Sequence, residues 1–175
     1  MYYIVGLGNP GSEYEHTRHN TGRLVLTHFL KQSNFAHLTL NKKTKALETV
    51  GEVAGEKIVV IFPETFMNKS GISVAPHVTS VKKAHNLVVV YDDLDLPLGT
   101  IKISFNRGSG GHRGVESIIK HIKTREFIRI RVGISPITPS GKLKKPKGEA
   151  QVEKWIIGNF GDKEMDVLKK IKKSE

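Results

Sequence analysis

Cysteine is absent from the 175 residues, which excludes disulfide bonds, thiol nucleophiles and thiolate metal sites. Long apolar runs are missing as well, since no stretch approaches the roughly eighteen residues that a membrane-spanning helix requires. The N-terminus, Met-Tyr-Tyr-Ile-Val-Gly, has neither a basic region nor a small-residue cleavage site, so we expect no signal peptide. These absences together favour a cytoplasmic protein without a membrane partner.

Acidic residues are scarce relative to basic ones. The chain has 28 Lys and Arg against 17 Asp and Glu, a formal net charge of +11. A basic excess of this size is typical of proteins that bind a polyanion, because each neutralised phosphate releases counterions. A solvated surface in a generally basic proteome is the alternative. Clustering of lysine within residues 142–147 and 169–173 favours a polyanionic partner.

Apolar segments of two periodicities alternate along the chain. Strands are predicted at residues 2–7, 48–53, 57–62, 86–91, 100–105 and 127–134, and helices at 21–32, 70–83, 115–123, 149–157 and 163–172. Pro76 lies inside the second helix and predicts a late start or a kink there. The alternation predicts an α/β fold, one sheet with helices on both faces. We expect a single domain over residues 1–175, with a flexible surface loop at 135–148 and C-terminal helices over 149–175.

A glycine motif near the N-terminus invites a cofactor interpretation that its context contradicts. Gly6 to Gly11 matches the spacing G-x-G-x-x-G of dinucleotide-binding folds. That fingerprint needs a helix that opens directly on the glycines, but here Pro10 intervenes and polar residues follow. The acid expected about twenty residues later is also missing, since no Asp or Glu lies between His16 and Leu47. We therefore expect no cofactor.

Three predicted strands end in polar loops, after Leu7, Phe62 and Val90. If these strands are neighbours, their loops meet at one edge of the sheet. The residues brought together would be Asn9, His19, Asn68 and Asp92. A histidine beside a carboxylate is a general-base arrangement, and side-chain amides can stabilise a developing oxyanion. Without a cysteine or a G-x-S-x-G elbow, water activated by His19 is the simplest nucleophile.

Other interpretations of these residues remain open. His16 and His19 have the spacing H-x-x-H of some metal sites, although no H-E-x-x-H and no third ligand is evident. The carboxylates of Asp92, Asp93 and Asp95 are compatible with magnesium. The glycine-rich stretch 107–114 is either a phosphate cradle or a tight strand–helix connection.

An ordered set of motifs identifies a family. Its members here are Gly6-Leu7-Gly8-Asn9-Pro10-Gly11, Tyr14, Thr17-Arg18-His19-Asn20, Thr65-Phe66-Met67-Asn68-Lys69-Ser70-Gly71, Asp92-Asp93-Leu94-Asp95-Leu96-Pro97 and Gly110-Gly111-His112-Arg113-Gly114. Together they resemble bacterial-type peptidyl-tRNA hydrolase over roughly residues 1–135, and the tail only in outline. The resemblance implies a three-layer α/β/α domain with a mixed, largely parallel sheet. It also implies a monomer that needs no metal or cofactor and hydrolyses the ester bond between a peptide and the 3′ end of tRNA.

The resemblance also implies roles for individual residues. His19 would be the general base and Asp92 its orienting partner, while Asn9 and Asn68 would position the peptidyl part and the reacting carbonyl or water. The residues expected to bind substrate are Tyr14, Asn20, Phe66, Met67, Gly111, His112 and Arg113. Lys102 and Arg131 would contact tRNA phosphate.

Two positions depart from the family pattern. Arg113 stands where we expect asparagine, and an arginine offers only donors and a fixed charge. We expect it to turn toward the tRNA backbone. Ser104 stands where the family usually has a basic residue. Two other functions therefore stay in view, an RNA-binding protein that has lost turnover and a small-molecule esterase with incidental basic charge.

Overall fold

The computed structural model describes residues 1–171. The strands are β1 (Tyr2–Gly6), β2 (Thr39–Asn41), β3 (Ala46–Val53), β4 (Glu56–Pro63), β5 (Leu87–Pro97), β6 (Ile101–Phe105) and β7 (Ile128–Ser135). The helices are α1 (Thr21–Lys31), α2 (Ser70–Val74), α3 (Val81–Ala84), α4 (Arg113–Ile122), α5 (Glu149–Ile156) and α6 (Asp162–Lys170). Single 3-10 turns lie at Ser12–Tyr14, Arg18–Asn20 and Met67–Lys69.

The strands form one mixed sheet of seven, in the order β2-β3-β4-β1-β5-β7-β6. The central strands β4, β1, β5 and β7 run parallel, while β2, β3 and β6 are antiparallel to their neighbours. The predicted α/β class is therefore confirmed, as is the hairpin around residues 54–56. The three strands that precede polar loops are adjacent, so those loops do meet at one edge of the sheet.

Helices pack against both faces of the sheet. One face carries a core in which Val5, Val89 and Val115 meet, with α2 and α4 above it. The other face carries a core that joins Leu26 of α1 and Leu168 of α6. Apolar side chains alternate between these faces along each central strand, which is why the strands are apolar throughout.

Helix α1 begins unusually close to the sheet, and this position sets the site. A Cβ atom at Gly22 would lie 2.1 Å from the Val90 carbonyl oxygen and 2.5 Å from the Leu7 amide nitrogen. Only glycine permits that approach. Because the 3-10 turn Arg18–Asn20 immediately precedes α1, it is held over the ends of β1 and β5.

Two predicted boundaries are wrong. The helix expected over residues 70–83 is two short helices, because Pro76 has no amide hydrogen with which to continue the hydrogen bonding of the first one. The segment from Asp92 to Pro97 is not a loop but a continuation of β5, because β7 runs alongside and pairs with it as far as Ser135. Strand β2 was not predicted.

Strand β6 forms where expected, but its apolar side chains face outward. Ile101, Ile103 and Phe105 are 41%, 70% and 52% exposed. The strand lies at the edge of the sheet, so alternation alone did not indicate which face would be buried. Among residues 1–171, no helix combines the length and apolar character that a lipid bilayer crossing demands.

The segment 136–148 contains no helix, and its only strand-like contact among the described residues is the bridge between Ile137 and Leu143. Its flexibility stays a prediction. The last part of the predicted helix 163–172 falls on residue 172, which lies outside the described residues.

Candidate active site

His19 and Asp92 come together as the polar-loop argument predicted. The His19 Nδ1 atom lies 3.0 Å from both carboxylate oxygens of Asp92. Both residues are buried, although they are 73 positions apart in the chain. Because a carboxylate accepts, Nδ1 carries the proton and donates it. The lone pair is therefore on Nε2, which makes no hydrogen bond within residues 1–171 and can act as a base.

A second histidine contacts the same carboxylate, with its ring centroid 4.8 Å from that of His19. His112 Nε2 lies 3.0 Å from Asp92 Oδ1, and its Nδ1 accepts a hydrogen bond from the Val115 amide at 3.4 Å. His112 is thus the N-cap of α4 and donates to Asp92 through its other nitrogen. Substrate contact by His112 stays a prediction, and the sequence does not predict its contact with Asp92. Its place just before a predicted helix signals the cap, but nothing in the sequence indicates the carboxylate.

The electrostatics of Asp92 follow from these two partners. Burial alone would raise the pKa of Asp92, but the charges and hydrogen bonds of His19 and His112 outweigh it and hold the pKa well below its usual range. The carboxylate is therefore ionised at neutral pH. An ionised Asp92 orients the His19 ring and stabilises the imidazolium that forms when His19 takes a proton.

Asn9 is fixed by a reciprocal pair of hydrogen bonds. Its backbone amide donates to Asn20 Oδ1 at 2.9 Å, and Asn20 Nδ2 donates to the Asn9 carbonyl at 2.9 Å. The Met67 amide donates to Asn9 Oδ1 at 2.8 Å. With Oδ1 engaged, the side-chain NH2 of Asn9 remains to donate to a bound group.

These residues surround a cavity of about 580 Å³. Its lining includes Asn9, His19, Phe66, Met67, Asn68, Gly111, His112 and Arg113. Asn68 is exposed on the wall, and the buried Met67 forms part of the floor. The cavity therefore presents a base and two amides to the same space.

Two residues expected to bind substrate, Tyr14 and Asn20, do not line this cavity. Asn20 is buried and hydrogen-bonds to Asn9. Tyr14 packs edge-to-face on Phe66, with ring centroids 6.4 Å apart. Each thus contacts a residue that does line the cavity, namely Asn9 and Phe66. Substrate contact by Tyr14 and Asn20 stays a prediction.

The Arg113 guanidinium pairs with two glutamates, and its expected turn toward the tRNA backbone stays a prediction. Its Nη2 lies 3.3 Å from Glu149 Oε1 and its Nη1 lies 3.7 Å from Glu153 Oε1. Both glutamates belong to α5 and line the cavity together with Arg113. Two exposed carboxylates that also line the cavity therefore share the charge of Arg113.

The two residues expected to contact tRNA phosphate are adjacent across the strands β6 and β7. Lys102 is exposed, whereas Arg131 is buried and its Nε donates to Asp93 Oδ2 at 2.6 Å. Ser104 Oγ lies 3.4 Å from Arg131 Nη1. The phosphate role of both residues stays a prediction, and Arg131 would bring to it a charge already shared with Asp93.

Within residues 1–171, one group of side chains could hold a metal ion. The ligand atoms of His19, Asp92 and His112 all lie within 4.8 Å of one another. A metal at this position would replace the protons that both histidines donate to Asp92. The same three residues thus offer either a hydrogen-bonded base or a metal site, and only a chelator experiment separates these uses.

Comparisons with known proteins point to one family. The family model described as peptidyl-tRNA hydrolase matches residues 3–174. A peptidyl-tRNA hydrolase from Listeria welshimeri is 43% identical over 178 residues, which cover 99% of this chain and 89% of that protein. One from Bacillus anthracis is 41% identical over 177 residues, with the same coverage of 99% and 89%. The crystal structure of the Acinetobacter baumannii peptidyl-tRNA hydrolase superposes with a TM-score of 0.84 at 31% identity, covering 96% of this chain and 81% of that one.

Proposed function

This chain belongs to the peptidyl-tRNA hydrolase family and hydrolyses the ester bond that joins a peptide to tRNA, and we propose that His19 performs this reaction as the general base. The observation that carries the proposal is the position of the His19 ring. Its Nδ1 donates to the ionised Asp92, and its Nε2 remains available at the cavity.

The reaction proceeds in two steps. Nε2 of His19 takes a proton from a water molecule while the water oxygen attacks the ester carbonyl carbon. A tetrahedral intermediate forms with negative charge on the former carbonyl oxygen. The bond to the ribose oxygen of the terminal nucleotide then breaks, and the imidazolium of His19 gives its proton to that oxygen. The products are free tRNA and a peptide with a carboxylate end.

Asn9 and Asn68 position the reacting groups. Both line the cavity beside His19, and Asn9 is locked in orientation by Asn20 and Met67. A neutral amide donor that does not need to reorganise stabilises the developing oxyanion more than water does. We assign Asn9 and Asn68 to the carbonyl or the attacking water.

The tRNA is held largely by charge. The net charge of +11 supports a polyanionic partner, and Lys102 is exposed at the sheet edge near Arg131. We assign both residues to phosphate contacts. We also propose that the protein works as a monomer in the cytoplasm, where tRNA is used, and light scattering during size-exclusion chromatography tests its oligomeric state.

The decisive experiment is release of an N-blocked amino acid from its tRNA. The parent protein, His19→Ala and the parent protein with a chelator are compared at equal concentration. Turnover that resists the chelator and is lost in His19→Ala is the expected result. Chelator-sensitive turnover would contradict metal-free catalysis, and binding of tRNA without turnover would favour the RNA-binding function instead. Equal hydrolysis of a small ester would favour the small-molecule esterase.

A further inference from the structure

The segment that carries His19 pairs with the connection between α5 and α6. The Arg18 amide donates to the Gly158 carbonyl at 3.0 Å, and the Phe160 amide donates to the His16 carbonyl at 3.0 Å. Thr17 and Asn159 face each other as an antiparallel bridge. The C-terminal part of the chain therefore contacts the backbone directly beside His19.

The Arg18 side chain reinforces this pairing with three kinds of contact. Its Nη2 lies 3.2 and 3.0 Å from the two carboxylate oxygens of Glu164 on α6. Its guanidinium carbon lies 3.8 Å from the centroid of the Trp155 ring, and Nη1 donates to the Trp155 carbonyl at 3.4 Å. The Phe160 ring lies further away, at 5.4 Å. One buried side chain thus joins α5, α6 and the connection between them.

Glu164 is itself fixed, so it makes a firm anchor. Its Oε2 accepts a hydrogen bond from the Gly161 amide at 2.7 Å, which caps the start of α6. Arginine suits this position better than lysine. Its planar guanidinium can stack on an indole and contact a carboxylate at the same time.

The position of His19 is consequently held from two sides. Asp92 holds the His19 ring, while Arg18 holds the backbone of the 3-10 turn that contains His19. The Arg18 carbonyl also accepts a hydrogen bond from Thr21 Oγ1 at 2.6 Å. We propose that Arg18 is a positioning residue for hydrolysis and that it uses the α5–α6 segment to keep the His19 Nε2 atom aligned with the attacking water. This inference rests on the proposed role of His19 as the base.

Three variants disturb the contact to different degrees. Arg18→Lys keeps the positive charge but loses the planar guanidinium that stacks on Trp155. Glu164→Gln keeps the side-chain shape but removes the negative charge that pairs with Arg18. Gly158→Ala removes no polar group, yet its Cβ would lie 3.0 Å from Arg18 Nη1 and displace the guanidinium slightly. Gly161→Ala is the matched control, because its Cβ would meet nothing closer than Glu164 Oε2 at 3.6 Å.

The readouts are kcat, KM, the melting temperature and the NMR shift of the His19 Nδ1 proton. We expect Arg18→Lys to lower kcat about 10- to 100-fold with KM changed less than about twofold, because small misplacements of a catalytic group have effects of this order. Gly158→Ala and Glu164→Gln should fall between this variant and the parent. The His19 proton shift should move in step with kcat, and Gly161→Ala should match the parent.

Several outcomes would overturn the inference. If the variants melt earlier but keep the parental kcat well below their melting temperatures, Arg18 only stabilises the fold. A rise in KM at constant kcat would make it a binding residue instead. If Arg18→Lys does not fold, Gly158→Ala and Glu164→Gln still decide the question. Activity that survives in His19→Ala would break the proposed function, a result distinct from failure of the Arg18 variants alone.

Discussion

Two groups of acid–base pairs line the cavity in opposite environments, and we call them the buried wall and the exposed wall. On one wall, His19, Asp92 and His112 have side chains 8%, 4% and 8% exposed, with contacts of 3.0 Å. On the other, Arg113 is 55% exposed and meets Glu149 and Glu153, which are 87% and 55% exposed, at 3.3 and 3.7 Å. Similar chemistry thus occurs in a water-poor setting and in a solvated one.

This difference in burial predicts which group of residues controls the reaction. In a low-dielectric setting a charge interacts strongly with its neighbour, and an unpaired charge is expensive. Exposed pairs interact weakly and are screened by salt. We therefore expect the buried wall to set the reaction rate and acid stability, and the exposed wall to have small, salt-sensitive effects.

The largest expected effect follows from Asp92→Asn. An asparagine NH2 group can donate to His19 Nδ1, which moves the ring proton to Nε2 and removes the base. We expect a loss of about 10³-fold or more in the hydrolysis rate constant, as for other histidine bases that lose their carboxylate. Single-turnover hydrolysis with bound tRNA measures it. The control is Asp166→Asn, at a carboxylate 65% exposed on α6. Equal losses of rate in both variants would contradict the expected difference between buried and exposed carboxylates.

The next effect separates the two hydrogen bonds of His112. His112→Asn can still cap α4 but loses the contact with Asp92, whereas His112→Ala loses both. We expect both variants to hydrolyse about tenfold more slowly, since Asp92 is less well held. Only His112→Ala should lose a further ~1 kcal/mol of unfolding free energy, the typical effect of removing a cap. Parental activity in His112→Asn would show that the Asp92 contact is dispensable.

The buried wall should also determine acid stability. The pKa of Asp92 is lowered in the folded state and lies near 3.9 when unfolded, so below about pH 4 the unfolded chain binds more protons. The contribution of Asp92 is therefore present above that pH and is lost as pH falls toward the folded pKa. Urea unfolding between pH 6 and pH 3 should show a shallower decline for Asp92→Asn than for the parent and Asp166→Asn. Parallel declines would refute this expectation.

The smallest effect is expected at the exposed wall. Arg113→Asn restores the residue expected from the family resemblance and breaks only solvated ion pairs. We expect less than about 1 kcal/mol of change in unfolding free energy and less than about threefold in kcat/KM. Any difference should shrink as salt rises from 0.1 to 0.5 M. A higher rate constant at unchanged tRNA affinity would mean that Arg113 slows catalysis, and a large loss would place it among the substrate contacts.

Much of the fold was predictable because it depends on local patterns. Continuous apolar runs marked the central strands, and the turn at residues 54–56 marked the hairpin. The pairing of His19 with Asp92 followed from one further rule, that polar loops after neighbouring parallel strands share an edge. Two features were not predicted because contacts between distant segments determine them. These are the extension of β5 along β7 and the outward-facing apolar side chains of β6.

The sequence by itself determined the α/β class, the residues at the strand ends and the excess of positive charge, because these depend on residue type and short-range periodicity. Only the tertiary structure decided that His112 supports Asp92, that Arg113 turns to α5 and that Arg18 reaches Glu164, 146 residues away. The physical reason is that a side chain's partner depends on which distant segments packing brings within hydrogen-bond distance. In this protein the burial of each pair also decides how strongly its two groups interact.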